Sequence, residues 1–336
     1  MRIIKTGIIG AGRIAYVHGN NIAKLIPGAE VKGIADPYLT EHARTWIEAL
    51  GIAEVTEDYQ DFLKDPEIDA VVICSPTDTH ARIIREAVKA GKDVFCEKPI
   101  DLNPEEIRRT LEAVEASGRK LQVGFNRRFD HNFIALREAV VSKQIGKLRM
   151  VRVISRDPSP PPIEYIKSSG GLFMDMTIHD FDMVRYLSGS EVEEVFAYGT
   201  VLVDEEIGKA GDIDTAVITM KMRNGSLAVI DNSREAVYGY DQRAEVFGSK
   251  GSMFSGNDAP HTAVFSGAAG ICAVKPMYFF LERYQEAFVQ EMKEFLEAVR
   301  NDAPVPVDGT DGLKSVLVAE AAGRSLRTGK SVKPTY

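Results

Sequence analysis

The chain has few cysteines and no excess of positive charge. Only three of its 336 residues are cysteine, and the odd number and irregular spacing of Cys74, Cys96 and Cys272 are typical of reduced thiols. The formal net charge is −8 and no segment is strongly basic. Phosphate binding needs clustered Lys and Arg. We therefore expect a cytoplasmic protein that binds no nucleic acid.

Long apolar runs are also missing. No segment approaches the roughly 20 apolar residues of a membrane span. The first residues, MRIIKTGIIGAG, reach glycine before a signal peptide's apolar run of about 7–15 residues develops. We expect no membrane partner. With roughly 100–200 residues per domain, a chain of 336 residues favours two domains.

Strands and helices alternate in the first third of the chain. Apolar runs that read as strands are RIIKTGIIGAG, AEVKGIAD, IDAVVICSP, KDVFCEKP and KLQVGF, and helical patterns separate them. The run IDAVVICSP is almost continuously apolar, as a strand covered on both faces should be. This alternation predicts an α/β domain over residues 1–124, a Rossmann-type, doubly wound parallel sheet.

From residue 125 the pattern changes to strands that follow one another. These are KLRMVRVISRD, VEEVFAYGTVLVD, DTAVITMKM, GSLAVIDNSREAV and RAEVFGSKGSMF, with a hairpin signal at Asn224-Gly225. Leu281, Tyr284, Phe288, Met292, Phe295 and Val299 recur at helical spacing and predict a core helix. We expect an α+β domain over residues 125–336 with an open, mostly antiparallel sheet, and a last helix able to pack back on the first domain.

A glycine turn follows the first strand and opens the first helix. Residues 10–15, GAGRIA, fit G-x-G-x-x-A, in which Gly10 allows the tight turn and Gly12 lets the backbone approach a pyrophosphate. An ordinary strand-to-helix turn could look similar. The acidic residue that ends the second strand, Asp36, favours a dinucleotide site because such a residue bonds the ribose hydroxyls. The contacts predicted in this turn are Gly10, Gly12, Arg13 and Ile14.

The same acidic residue bears on which dinucleotide binds. The carboxylate of Asp36 would repel a 2′-phosphate, and the next residues, Pro37 and Tyr38, carry no positive charge to accept one. We therefore predict NAD rather than NADP.

Glu97 and Lys98 close the strand KDVFCEKP. Ligands of open α/β sheets gather at the carboxyl ends of the strands, so both side chains are predicted to lie at the cofactor. A lysine ammonium can stabilise a substrate oxygen as it loses its proton. The alternative is an exposed Glu-Lys pair before a helix, and the position at a strand end argues against it.

The apolar stretch GGLFMDMTIHDFDM, residues 170–183, carries three carboxylates and a histidine. If it is one helix, Asp175, His179 and Asp182 lie on one face. An imidazole beside a carboxylate suits proton transfer, but a buried polar cluster in the core would look the same. We expect Asp182 to be structural, bonded to backbone or Arg185, and Asp180 to be a solvated or capping group.

A metal site is the alternative interpretation of residues 170–183. Asp175 and His179 could share a divalent ion with a third ligand. No cysteine cluster or H-E-x-x-H pattern is present, and the six histidines are scattered. We predict no metal.

Five segments together resemble one family. GIIGAGRIA, SPTDTHARII, GKDVFCEKPI, VGFNRRFD and GGLFMDMTIHDFDM occur in the order typical of the glucose–fructose oxidoreductase and inositol dehydrogenase family, Gfo/Idh/MocA. Within it, SRDPSPPPIEYI, GDIDTA and REAVYGYDQRAEVFGSKG look most like the inositol 2-dehydrogenases. The resemblance covers nearly the whole chain. It implies a Rossmann domain, a C-terminal domain whose sheet makes homo-tetramer contacts, and NAD-linked oxidation of a ring hydroxyl in a polyol.

The resemblance also implies residue roles. Lys98 matches the lysine of the E-K-P motif, and Asp175 and His179 match its D-x-x-x-H pair; these three are the predicted catalytic residues. The loops implied beside the cofactor contain Ser75, Thr77, His80, Glu97 and Lys98. The residues implied or expected to contact a polyol are Lys98, Arg127, Asp157, Asp175, His179 and Tyr238, with Arg128 and Tyr240 close enough in sequence to exchange roles with their neighbours.

The predicted reaction transfers a hydride from a ring CH–OH of a cyclic polyol, myo-inositol first, to NAD. We expect Lys98 from the first domain and His179 from the second to act on the same alcohol. Alternatives are scyllo-inositol or another sugar as substrate, or a regulator that senses dinucleotide without catalysis. The presence of Lys98, Asp175 and His179 argues against the regulator.

Overall fold

The computed structural model describes residues 2–336, which form two compact units. One unit comprises the chain up to Phe129 together with Glu286–Lys314, and the other comprises Asp130–Gln285 and Ser315–Tyr336. Residues 125–129 and 286–314, placed in the second domain from sequence, thus lie in the first unit. No helix within residues 2–336 is long and apolar enough to cross a membrane.

Fourteen strands and thirteen α-helices occur among the described residues, with one 3₁₀ helix at Asn126–Phe129. The first segment holds β1 (Ile4–Ile9), α1 (Arg13–Leu25), β2 (Ala29–Ala35), α2 (Glu41–Ala49), β3 (Glu54–Thr56), α3 (Gln60–Lys64), β4 (Ala70–Ile73), α4 (Thr77–Lys89), β5 (Asp93–Glu97), α5 (Pro104–Ser117) and β6 (Leu121–Gly124). The rest holds α6 (His131–Val141), β7 (Leu148–Arg156), α7 (Ile163–Ser168), α8 (Gly171–Asp175), α9 (Thr177–Ser188), β8 (Val192–Thr200), α10 (Glu205–Lys209), β9 (Thr215–Met222), β10 (Leu227–Ser233), β11 (Asp241–Gly248), β12 (Ser252–Ser255), β13 (Val264–Gly267), β14 (Gly270–Ala273), α11 (Phe280–Arg283), α12 (Gln285–Asn301) and α13 (Gly309–Thr328).

The first unit contains the predicted parallel sheet. Its strand order is β3-β2-β1-β4-β5-β6, and every pairing in it is parallel. The order reverses between β1 and β4, so the carboxyl ends of these two strands form the crevice in which such sheets bind ligands. The predicted doubly wound sheet is confirmed.

Two features of the structure were not predicted from the sequence. The strand β3 was not predicted, because its three residues are mostly exposed and carry no apolar run. The predicted core helix is divided at Tyr284: Leu281 lies in α11, whereas α12 places Met292, Phe295 and Leu296 in the same buried cluster as Ile8 and Phe95.

The second unit is built on a six-stranded mixed sheet. Its order is β12-β11-β7-β10-β9-β8, with β7 and β10 parallel and the other pairs antiparallel. The predicted hairpin joins β9 to β10, and Gly225 adopts the left-handed φ of +84° that the turn requires. Because β7 and β10 run in the same direction, Arg156 and Ser233 end side by side. The predicted substrate contacts Asp157 and Tyr238 lie at this edge of the sheet.

Candidate active site

The glycine turn after β1 is shaped by close backbone approach. Gly10 has φ +100°, and a Cβ there would lie 2.7 Å from the backbone carbonyl of Cys74, which follows β4. Only glycine fits this position. Gly12 is the N-cap of α1, and a Cβ built on it would meet no atom within 4 Å. The backbone at Gly12 is therefore open to a ligand, at a helix start that no side chain caps.

Asp36 is fixed directly beside this turn. Its Oδ2 accepts a hydrogen bond from the Ala11 amide at 2.7 Å, and its Oδ1 accepts one from the Tyr38 amide at 2.7 Å. Each carboxylate oxygen still has a second lone pair. The arrangement holds an acceptor at the end of β2, beside the turn, as a ribose contact requires.

His80 links the two loops that follow β4 and β5. The ring is buried, with Nδ1 2.8 Å from the Pro99 carbonyl oxygen and Nε2 2.8 Å from the Ser75 carbonyl oxygen. Ser75 Oγ also lies 2.6 Å from Thr79 Oγ1 in the first turn of α4, which begins at Thr77. The structure thus brings the Ser75 loop and the turn that follows Lys98 together through His80.

Glu97 and Lys98 lie at the carboxyl end of β5, as the sequence predicted. Glu97 Oε1 is 2.7 Å from His18 Nε2, and His18 is fully buried on α1. A Cβ at Gly124 would lie 2.9 Å from Glu97 Oε2, so the neighbouring strand also closes on this carboxylate. Lys98, which is half-buried, follows this fixed residue directly.

A second carboxyl lies buried near Glu97. Glu291 on α12 is completely buried, and its burial, together with the charge of Glu97, raises its pKa well above the ordinary value. Burial also raises the pKa of the Cys74 thiol, with Glu97 contributing. The apolar environment next to Lys98 thus contains two carboxyl groups, those of Glu97 and Glu291, and the imidazole of His18.

The two arginines of FNRRFD have different surroundings. Arg127 is buried in the 3₁₀ helix that follows β6. Arg128 pairs with Asp311, with Nη2 2.9 Å from Oδ1 and Nη1 3.0 Å from Oδ2. That bidentate ion pair gives Arg128 a structural partner within the first unit.

Asp175 and His179 are not on one uninterrupted helix, and that interpretation of the sequence was wrong. Asp175 is the last residue of α8 and His179 lies in the first turn of α9, with Met176 between the helices at φ −98°, ψ −58°. The His179 amide bonds back three residues to Met176, at 3.3 Å. Both side chains are half-buried within an otherwise buried segment.

Asp175 is held at both carboxylate oxygens. Tyr165 Oη donates to Oδ1 at 2.9 Å, and Arg234 Nη1 donates to Oδ2 at 3.0 Å. Tyr165 comes from α7, and Arg234 comes directly after β10. Two separate elements of the second unit therefore set the orientation of this carboxylate.

The other two carboxylates of the stretch are structural. Asp182 is buried and its Oδ1 lies 3.4 Å from Arg185 Nη1, which confirms the predicted pairing. The prediction that Asp180 is solvated or a cap was wrong. Asp180 is fully buried, and its Oδ2 accepts a hydrogen bond from Asn232 Nδ2 at 2.8 Å. Asn232 points into the core from β10, a partner that a local sequence reading cannot see.

Asp157 and Tyr238 lie at the same edge of the second sheet. The Asp157 amide donates to the Ser233 carbonyl at 3.0 Å, so Asp157 stands beside the end of β10. Tyr238 is 38% exposed, and its hydroxyl donates to Asp241 Oδ2 at 2.5 Å and accepts from Arg156 Nη1 at 3.1 Å.

The contacts of Asp241 at this edge shift its own pKa and that of Tyr238. Burial alone would raise the pKa of Asp241, but hydrogen bonds from Arg243, Tyr238 and Asn257 outweigh it and lower that pKa. Burial, and then the bond to Asp241, raise the pKa of Tyr238. Tyr240, the alternative to Tyr238, is buried against the ring of Tyr284 at a centroid distance of 6.0 Å.

Among residues 2–336, one group of three side chains has ligand atoms close enough to share a metal ion. It consists of Asp130, His131 and Asp258, whose ligand atoms lie within 4.8 Å of one another. The guanidinium of Arg283 lies 2.5 Å from Asp130 and 2.9 Å from Asp258, so a cation of the protein itself already pairs with both carboxylates. Asp175 and His179 do not belong to this group.

Sequence reasoning missed the side chains that hold the predicted ones. His18 and Arg234 contact predicted residues 79 and 59 positions away, and Tyr165 contacts Asp175 from another helix, 10 positions away. A polar residue directly after an apolar strand, such as Arg234 after β10, is a weak signal of function. The sequence around His18 and Tyr165 carried no such signal.

The glycine turn, the fixed acidic residue after β2 and the 3-2-1-4-5-6 strand order define the first unit as a dinucleotide-binding domain. Residues 4–125 match the oxidoreductase family described as having an NAD-binding Rossmann fold, and residues 133–254 match the GFO/IDH/MocA C-terminal domain. The chain belongs to the Gfo/Idh/MocA family of NAD-binding oxidoreductases, as the motifs indicated.

Three relatives illustrate the similarity. The chain is 48% identical to the myo-inositol 2-dehydrogenase of Thermotoga maritima over 330 residues, which is 98% of each chain. It is 45% identical to the inositol 2-dehydrogenase of Rhizobium meliloti, covering 96% of this chain and 97% of that one. The structure of scyllo-inositol dehydrogenase from Lactobacillus casei with bound NAD(H) and scyllo-inositol superposes with a TM-score of 0.91, at 32% identity and 99% coverage of both chains.

Proposed function

We propose that this protein is an NAD-dependent dehydrogenase that oxidises the C2 hydroxyl of myo-inositol to the ketone, 2-keto-myo-inositol. The observation that carries the proposal is the 48% identity to the Thermotoga maritima myo-inositol 2-dehydrogenase over 98% of both chains. Lys98, Asp175 and His179 are all present in their motifs. A regulator that only senses dinucleotide would have no use for all three.

The first unit fits a dinucleotide at its glycine turn. The open space at Gly12 admits a pyrophosphate to the N-terminus of α1, where backbone amides and the helix dipole favour an anion. Asp36 supplies acceptors for the ribose hydroxyls, and its negative charge disfavours the 2′-phosphate of NADP. The loops at Ser75, Thr77 and Lys98 would line the nicotinamide end.

The proposed chemistry divides between three residues. Bound NAD supplies the acceptor for the hydride that leaves the substrate carbon. Lys98 Nζ hydrogen-bonds the reacting hydroxyl and stabilises the oxygen as negative charge develops there. Neutral His179 accepts the hydroxyl proton, and an imidazole, whose ordinary pKa is about 6.5, suits that task near neutral pH. Asp175 orients the ring and stabilises the imidazolium that forms.

A polyol needs polar partners at most of its hydroxyl groups, since each buried unpaired hydroxyl costs about 1–3 kcal/mol. We propose that Arg127, Asp157 and Tyr238 supply them, together with the catalytic residues. Tyr238 keeps a partly exposed ring while Asp241 and Arg156 fix its hydroxyl. Arg128 and Tyr240 are less suitable, because one is ion-paired with Asp311 and the other is buried.

The assembly proposed is a homo-tetramer formed through the second unit's sheet. Exposed apolar side chains lie on five of its six strands, namely Tyr198, Val217, Leu227, Phe247 and Phe254. Large apolar side chains left exposed on one sheet are consistent with an interaction surface there. Light scattering would give the mass in solution. A cytoplasmic location is supported by three cysteines that form no disulfide.

The test is NADH formation at 340 nm with a panel of myo-inositol, scyllo-inositol and common hexoses, each with NAD and with NADP. The proposal expects the highest kcat/KM with myo-inositol and NAD. A preference for scyllo-inositol or an aldose would replace myo-inositol as the proposed substrate. The assignment as an NAD-dependent dehydrogenase would then remain unchanged. NAD binding without turnover on any polyol would favour the sensing regulator.

A further inference from the structure

Arg234 is a charged residue with almost no exposure to water. Its side chain is 1% exposed, and it is among the largest fully buried side chains of the protein. Burying a guanidinium is costly unless it is paired. Its backbone amide donates to the Asp214 carbonyl at 2.8 Å, which fixes the main chain just after β10. A guanidinium buried to this degree therefore needs an anionic partner within the protein.

The ionic contacts of Arg234 converge on the segment that carries Asp175. Nη1 lies 3.0 Å from Asp175 Oδ2, and Nη2 lies 3.7 Å from Asp212 Oδ2. Asp212 in turn accepts the Leu172 amide at 3.0 Å with both oxygens, at the start of α8. Arg234 therefore contacts the carboxylate at the end of α8 and the carboxylate that holds its beginning.

Two bonds from different elements restrict the carboxylate of Asp175. Arg234 holds Oδ2, and Tyr165 holds Oδ1 at 2.9 Å. A carboxylate that accepts a charge-assisted hydrogen bond from a buried arginine is stabilised as the anion. Asp175 is then a fixed negative charge, suited to orienting a neighbouring group and unsuited to donating a proton.

We propose that Arg234 is a positioning residue of the dehydrogenase. It acts through Asp175, which it keeps ionised and oriented toward the reacting groups, and Tyr165 supports it from the other oxygen. The inference rests on the proposed function for its kinetic consequences. The Arg234–Asp175 coupling itself does not depend on which substrate is turned over.

The kinetic test compares Arg234→Gln, Arg234→Lys and Arg234→Ala with the wild type. We expect kcat to fall about 10- to 100-fold in the Gln variant, with the Kd of NAD unchanged, and to fall less in the Lys variant, which keeps a cation. Added guanidinium chloride at millimolar concentration should restore part of the kcat of the Ala variant, whereas equal KCl should not. Unchanged kcat in Arg234→Gln would overturn the inference.

Arg185 offers a matched control in the same unit. It too is a buried arginine, paired with Asp182 at 3.4 Å and Glu191 at 2.7 Å, but neither carboxylate is proposed to act in the reaction. Arg185→Gln should lower the melting temperature and leave kcat unchanged, with no rescue by guanidinium. An equal loss of kcat in Arg185→Gln would mean that any buried arginine has this effect, and would overturn the specific role.

A double-mutant cycle separates this inference from the proposed function. Unfolding midpoints are measured for Arg234→Gln, Asp175→Asn and the double variant, which requires no turnover. Coupled residues give a double variant that loses less stability than the sum of the single losses; strict additivity would overturn the inference. A wild type that oxidises no polyol would refute the proposed function, and the cycle would still decide whether Arg234 acts on Asp175.

Discussion

His18 Nε2 lies 2.7 Å from Glu97 Oε1, and this contact joins the cofactor helix α1 to the strand that delivers Lys98. The imidazole is fully buried, packed edge-on against Phe95 at 5.0 Å and Phe288 at 5.8 Å. One buried polar bond thus connects the glycine turn's helix with the residue next to the proposed catalytic lysine. Its loss should affect both stability and catalysis.

Replacing His18 tests the effect on stability. His18→Phe keeps a ring for the aromatic contacts but leaves Glu97 without its partner, at a cost of about 1–3 kcal/mol in the free energy of unfolding. His18→Gln retains a donor amide and should cost less. Urea unfolding of both variants checks this, with the exposed His42→Gln on α2 as control. Equal stability of the Phe and Gln variants would contradict a role for the bond.

Glu291 predicts an unusual dependence of stability on pH. Burial and the charge of Glu97 raise its folded-state pKa above the ordinary 4.5. A raised pKa means that the group's stability contribution is fully present below pH about 4.5 and is lost as pH rises through the folded-state pKa. Glu291→Gln removes this loss, so the variant should be more stable than wild type at pH 8 and lose that advantage toward pH 4.5.

The measurement for Glu291 is the melting temperature of both proteins across this pH range. A gain of roughly 2–4 °C at pH 8 would correspond to about 1 kcal/mol in a domain of 150–250 residues. Glu297→Gln, at an exposed position of the same helix, is the matched control and should show no such crossover. A constant difference between the Glu291 variant and wild type at all pH values would refute the explanation.

Lys98→Met should retain NAD binding and lose turnover. The methylenes of the side chain are preserved, while the ammonium that stabilises the developing oxyanion is removed, a loss of about 10²–10³ in kcat by analogy with other oxyanion donors. Initial rates and NAD titration by fluorescence measure the two quantities. Lys89→Met, at an exposed position of α4, serves as control. Turnover near the wild-type rate would remove Lys98 from the mechanism.

Asp36→Asn should weaken the discrimination against NADP. Asparagine keeps an acceptor oxygen for one of the two amides, Ala11 or Tyr38, that now donate to the carboxylate, and it removes the negative charge. We expect the ratio of kcat/KM for NAD over NADP to fall about tenfold, or ~1.4 kcal/mol. A wild type that prefers NADP, or a variant with an unchanged ratio, would contradict the role of this charge.

Local sequence patterns were sufficient for most of the fold. The glycine turn, Asp36 and Lys98 each follow a strand, and the carboxyl ends of parallel strands lie at one edge of a sheet, so their grouping follows from topology alone. The short strand β3 lacked an apolar run. The break at Met176 was hidden because residues 171–188 continue in helical spacing on both sides of it.

Contacts between distant segments could not be predicted from one sequence. Arg234 and Asp175 are 59 positions apart and meet because β10 and α8 are packed by the second unit's core. Asp180 looked exposed because its partner, Asn232, is on a strand 52 positions away. Local spacing determines which residues share an element, and tertiary packing decides which polar groups they contact.

In the proposed reaction a hydride moves from C2 of myo-inositol to NAD. The direct measurement is mass analysis of the NADH formed from myo-inositol that carries deuterium at C2. We expect one deuterium in each NADH and a slower rate than with unlabelled substrate. Unlabelled NADH from that substrate, or no NADH at all, would contradict it.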